Sequence, residues 1–159
     1  MRNKGIGMPV KEQENELDAS TLTDQDYQAQ AAFRYAIRRF ERFSEQQAYA
    51  LDITPQQHLL LLTVRGHPSY PAVSITEVAE RLQIRHHSAS LLVHRAWANG
   101  LLTREKDAVD RRKVMVALTP KGEQTLTRIT LANREELRSL DNAIFGIRDS
   151  LRRTLQARK

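Results

Sequence analysis

The residues best suited to chemistry crowd into the middle of the chain. Arg85-His86-His87-Ser88-Ala89-Ser90 sets a guanidinium, two imidazoles and two hydroxyls almost side by side. Arg104, Lys106, Arg111, Arg112 and Lys113 follow in a polar stretch around Asp110. Two chemistries compete for such residues: catalysis or metal binding, and contact with a polyanion. The histidines serve metal poorly. His87 and His94 lie seven positions apart on one helical face with Leu91 between them, whereas helical ligand pairs prefer a spacing of about three or four. No nearby acid completes a ligand set. Ser88 or Ser90 with His94 could imitate a nucleophile and its base, but no G-x-S-x-G elbow accompanies them. We therefore expect no enzyme, no metal and no cofactor.

The charge favours the polyanion. Between Arg81 and Lys121 stand nine basic and three acidic residues; the remainder of the chain balances 16 against 16, so this stretch carries the whole net charge of +6. A local basic patch suits nucleic acid, although an unevenly charged solvated face would read the same way. The absence of cysteine excludes a disulfide framework, a thiolate zinc site and a thiol redox sensor. No apolar run approaches ~20 residues, so no membrane span is expected. The stretch from Met1 to Ser20 lacks the apolar core of a signal peptide, which points to the cytoplasm and, for a DNA-binding chain, to the nucleoid.

The elements that must position these residues follow from caps and periodicity. Residues 1–22 read as a flexible tail. Thr23 and Asp26 open a long amphipathic helix to about Ala50, with Phe33, Ile37, Phe40 and Ser44 on its stripe. Thr54-Pro55 starts a second helix whose run from His58 to Val64 is apolar nearly all round, as in a buried helix. Gly66, Pro68 and Pro71 break the chain. Ser74 and Glu77 form a capping box for a helix ending at Leu82. After Gln83-Ile84-Arg85, a helix from His86 to about Asn99 turns Ala89, Leu92, Val93 and Ala96 inward. Gly100 supplies a left-handed stop. Val114, Val116 and Leu118 pair back on the segment from Leu101 to Arg104 as a hairpin, with a charged tip from Glu105 to Arg112. Thr119-Pro120 opens the next helix, with Leu126, Ile129, Asn133, Leu137 and Leu140 on one stripe. A final amphipathic helix carries Ala143, Ile144, Ile147, Leu151 and Leu155. The fold class is mainly α with a small β-hairpin wing: a helix-turn-helix followed at once by a hairpin is a winged helix. The domains read as N-terminal helices over 23–66, a winged unit over 67–122 and C-terminal helices over 123–159.

The run from Asp110 to Gly122, DRRKVMVALTPKG, resembles the wing signature D-x-R-x5-L-T-x-x-G of the MarR family. The order of elements resembles that family over roughly residues 24–155. The resemblance implies a dimeric regulator of transcription that binds a pseudo-palindromic operator, commonly as a repressor and often released by a small aromatic ligand. It also implies that Asp110 pairs with a wing arginine and holds the tip. Arg85 stands where the family usually has a serine-like cap, and His86 and His87 replace small polar residues or lysine, so base preference should differ. Without cysteine the chain lacks the family's oxidant-sensing device.

A recognition helix presents its N-terminal residues to base edges in the major groove. His86, His87, Ser88 and Ser90 are the expected base or near-base contacts, and Arg85 could reach a phosphate or a guanine. Arg111 or Arg112 is expected in the minor groove, where narrow A·T-rich tracts favour arginine; the residues alone do not say which. Arg104, Lys106 and Lys113 read as phosphate contacts or as a solvated hairpin. The terminal helices carry apolar stripes that suit a homodimer or an intramolecular core. By the resemblance, an effector pocket lies between those helices and the winged unit, with His58 and Arg38 as ligand-binding residues; the plain alternatives are a core histidine and a surface charge. A winged helix used only for protein contacts is the competing function.

Overall fold

The computed structural model describes residues 22–156. The expected N-terminal tail up to residue 21 lies outside the described residues. Five helices and three short strands follow in the order α1 (Asp24–Tyr49), α2 (Pro55–Arg65), β1 (Val73–Ser74), α3 (Ile75–Leu82), α4 (His86–Ala98), β2 (Leu102–Lys106), β3 (Val114–Leu118) and α5 (Pro120–Gln156).

Local chemistry sets most of these limits. The Asp26 carboxylate accepts from the Thr23 N–H at 2.8 Å and opens α1. Thr54 and Gln57 close a capping box ahead of Pro55 at the start of α2. Between α3 and α4 the chain turns through Gln83 at φ 54°. That left-handed conformation costs a non-glycine residue about 1 kcal/mol, and the Ile84 N–H reaching the Ala79 carbonyl at 3.0 Å helps to hold it. Gly100 takes φ 70° where the chain leaves α4, a position open to glycine without strain.

The strands form one antiparallel sheet in the order β1-β3-β2. Leu102 lies opposite Leu118, Arg104 opposite Val116 and Lys106 opposite Val114, while Val73 pairs with Val116 from the other side. One core joins these parts. It takes Leu60, Leu61 and Val64 from α2, Val78 and Ala79 from α3, Ala89, Val93 and Ala96 from α4, and Leu102, Val116 and Leu118 from the sheet. Leu126 and Ile129 extend it into α5, which packs along α1. Arg39 and Glu136 bridge that pair at 2.7 Å, and Ser150 donates to the Asp26 carboxylate. Among the described residues no helix is long and apolar enough to cross a membrane.

Four expectations are corrected. The two C-terminal helices are one, α5, unbroken for 37 residues. The hairpin gains a third strand, because Val73 and Ser74 pair with β3 before α3 begins. Strand β2 runs to Lys106, so the wing tip starts at Asp107. Helix α2 is not buried all round: Leu59 is 52% exposed and Leu62 45%, on the face away from Leu60, Leu61 and Val64.

Candidate nucleic-acid interface

Helix α4 supplies the first half of the site. Its inward face is fixed by Ala89, Val93 and Ala96, all fully buried. The 3.6-residue period then leaves Arg85, His86, His87 and Ser88 exposed at the N-terminal turn, with Ser90 half-buried. Arg85 is the N-cap residue, and its side chain caps nothing. No acidic residue occupies the first turn. The first-turn amides and the positive end of the helix dipole are thus left for an anion. The outward cluster of imidazoles and hydroxyls can both donate and accept hydrogen bonds.

The wing supplies the second half. Its tip is built around Asp107, whose Oδ1 accepts from the backbone N–H groups of Val109 at 2.9 Å and Asp110 at 2.7 Å. These two amides hold the Asp107 carboxyl below the usual carboxylate range. The Lys113 N–H donates to the Asp110 carbonyl, and the Asp107 N–H to the Lys113 carbonyl, which closes the loop. Asp107 is a wing residue that sequence reasoning passed over; an Asp two and three residues ahead of the amides it accepts is an Asx-turn signal.

Asp110 accepts from the Arg112 N–H at 3.1 Å and sits 3.4 Å from its Nε. Of the two wing arginines, Arg112 is therefore the one beside Asp110, in a loose pair with the Arg112 side chain 94% exposed. Arg111, Lys106 and Lys113 are exposed, and Arg111 has no ion-pair partner among the described residues. Arg104 differs from the other basic residues. It lies on the core side of β2, half-buried, with its Nη1 3.2 Å from His94 Nδ1 and its guanidinium over the Trp97 ring.

The rest of the D-x-R-x5-L-T-x-x-G run joins the wing to α5. Leu118 is buried. The Thr119 hydroxyl donates to the Gly100 carbonyl at 2.7 Å and accepts from the Gly122 N–H at 3.0 Å. A Cβ at position 122 would stand 2.1 Å from the Leu101 carbonyl oxygen, so only glycine fits there. Lys121, part of the basic stretch, donates to the Asn99 carbonyl at 2.9 Å.

The two residues expected at an effector pocket separate. Arg38 is exposed on α1. His58 is buried, and burial lowers its pKa from the ordinary 6.5. Its Nδ1 is 3.3 Å from Ser44 Oγ, which accepts from Asn133 Nδ2 at 3.0 Å. A hydroxyl that accepts from Asn133 still has a proton to donate and a second lone pair, so it can pair with either tautomer of a neutral His58. His58 also borders a cavity of about 150 Å³ that Phe40, Glu41, Ser44, Glu45, Pro55 and Leu59 complete. Among the described residues no group of three or more His, Asp or Glu is placed to hold a metal ion.

Two helices joined by a tight turn, the second with an uncapped start, a basic antiparallel wing and a helical frame define a winged helix-turn-helix fold. Residues 51–113 match the model of the MarR family. Over that region the chain is similar to the MarR family. It is 28% identical over 71 residues to the HTH-type transcriptional repressor MdtR of Bacillus subtilis (strain 168). That match spans 45% of this chain and 44% of the relative, less than half of either. Among solved structures, the fold is similar to a MarR mutant from E. coli complexed with operator DNA, with a TM-score of 0.62 and 19% identity over 77% of this chain and 89% of that one. It is also similar to Bordetella bronchiseptica BpsR, whose DNA binding is regulated by 6-hydroxynicotinic acid, with a TM-score of 0.58 and 25% identity over 75% and 86%.

Proposed function

We propose that this chain is a sequence-specific, double-stranded DNA-binding regulator of transcription that acts in the cytoplasm, on the nucleoid. The observation that carries this reading is the exposed, uncapped and acid-free start of α4, with Arg85, His86, His87 and Ser88 on it, followed in the chain by a basic wing. In this reading those residues and Ser90 meet base edges and nearby phosphates. Arg111 enters the minor groove, since Arg112 is the one beside Asp110. Lys106 and Lys113 neutralise phosphates.

The reading continues to a homodimer on a pseudo-palindromic operator, with half-sites about 10 base pairs apart. Tyr27, Tyr35, Leu131, Leu137, Ile144 and Phe145 are exposed on α1 and α5, apolar side chains that a second copy of the chain would cover. Repression is supported by the repressor role of the B. subtilis relative. A small aromatic effector is supported by the regulation of BpsR and by the cavity at His58, where a ligand could loosen α1 from α2.

Selection of bound sites from random duplexes, followed by titration of the selected site across salt, tests the reading. We expect a steep fall in affinity with salt and a clear preference over random DNA. Equal binding to both sinks sequence specificity. A flat salt response would instead favour a winged helix that contacts only proteins.

A further inference from the structure

Strand alternation puts Arg104 on the core face of β2, in line with Leu102 and opposite Val116. An apolar residue would be the ordinary occupant of that position. The guanidinium escapes the core by folding onto the outer face of α4. There its Nη1 meets His94 Nδ1 at 3.2 Å and its Cζ lies over the Trp97 ring, 5.7 Å from the centroid. The His94 and Trp97 rings are themselves 5.6 Å apart. The Arg104 Nε is enclosed and has no hydrogen-bond partner, so that edge of the fork is closed to a phosphate. A basic residue of the wing is thus turned inward while its neighbours Lys106, Arg111 and Lys113 face solvent.

We infer that Arg104 is a positioning residue rather than a DNA contact: with His94 and Trp97 it forms a strut that fixes the wing against the recognition helix, and so sets where Arg111 reaches. This rests on the DNA-binding reading above for its consequence, but the strut itself is testable without DNA. Planarity is what the strut needs. A lysine keeps the charge that a phosphate would read but loses the fork and the stack.

Trp97 is the single tryptophan of the chain, so its emission reports the cluster directly. In Arg104→Lys we expect a shifted Trp97 emission and stronger acrylamide quenching at an unchanged melting temperature. Binding to the selected operator should weaken about tenfold in the otherwise wild-type chain, and less than about twofold in an Arg111→Ala background, because a residue that acts through Arg111 has nothing left to position. Trp97→Phe, which keeps a ring for the guanidinium, should retain binding, whereas Trp97→Leu should behave like Arg104→Lys. Losses that simply add across the two backgrounds overturn the inference, as does unchanged quenching. So does a salt slope that falls by about one in Arg104→Ala, the mark of a phosphate contact. If the wild-type chain binds no duplex at all, the DNA-binding reading fails, and the quenching result alone decides the strut.

Discussion

The two helices of the helix-turn-helix begin in opposite ways. Helix α3 starts with every available group used: the Ser74 N–H and hydroxyl both donate to Glu77 Oε2 at 2.7 Å, and the Glu77 N–H returns to Ser74 Oγ at 3.3 Å. Those bonds hold the Glu77 carboxyl below its ordinary range. Helix α4, reached after a three-residue turn, starts with Arg85, whose side chain accepts nothing. The same contrast divides the larger molecule. The joints of the frame, at Ser74, at Thr119 and Gly122, and at Ser44 with His58 and Asn133, are closed by internal hydrogen bonds. The start of α4 and Arg111 at the wing tip are left open. A site with the proposed task of binding a polyanion cannot use its donors on itself, so stability has to come from elsewhere in the fold.

The joint between wing and α5 should be the most sensitive. In Gly122→Ala the new methyl would lie 2.1 Å from the Leu101 carbonyl oxygen, so backbone must move. We expect a loss of about 3 kcal/mol, at the upper end for an overpacked site, read as a lower denaturant midpoint. A near-neutral result would mean that this junction is softer than its contacts imply. Next in size comes Ser74→Ala, which removes the α3 cap and should cost about 1 kcal/mol. In the first turn of α4, where no side chain caps the helix, Ser88→Ala should change stability by less than about 0.5 kcal/mol while weakening operator binding. Equal stability losses in the two variants would erase the distinction between a closed and an open helix start.

How far these features were legible in the chain follows the range over which they act. Caps and breakers are local, so the start of α3 at Ser74-Glu77, its end at Leu82 and the left-handed Gly100 could be read from neighbouring residues. The alternation of Val114, Val116 and Leu118 marks the hairpin, and Thr119-Pro120 the start of α5. Strand β1 was hidden because two residues hold no period; only the partner strand β3 makes Val73 and Ser74 a strand. The break expected in α5 failed because its apolar stripe keeps helical spacing from Leu126 through Ile144 and Ile147, and no proline interrupts it. The inward turn of Arg104 was marked by strand alternation, but a basic residue in a basic hairpin reads first as a DNA contact. The polar relay was out of reach, since Ser44 and Asn133 stand 89 residues apart.

That relay yields the smallest effect, and one with a defined sign. His58 joins α2 to α1 through Ser44, and Ser44 to α5 through Asn133, so its charge bears on how the winged unit meets the frame. Burial disfavours the charged imidazolium and lowers its pKa below 6.5. The unfolded chain therefore takes up the proton first as pH falls. The stability that neutral His58 contributes is complete above about pH 6.5 and declines as pH drops toward the folded value. Glu77 acts in a separate window, because its contribution fades only as pH falls below the ordinary carboxylate value of 4.5. Melting temperatures between about pH 7 and 5 should thus slope downward in the wild-type chain, and less steeply in His58→Leu. A slope unchanged by that substitution would remove the relay from the closed joints of the frame. A ligand that entered the cavity beside His58 would then have no polar latch to release.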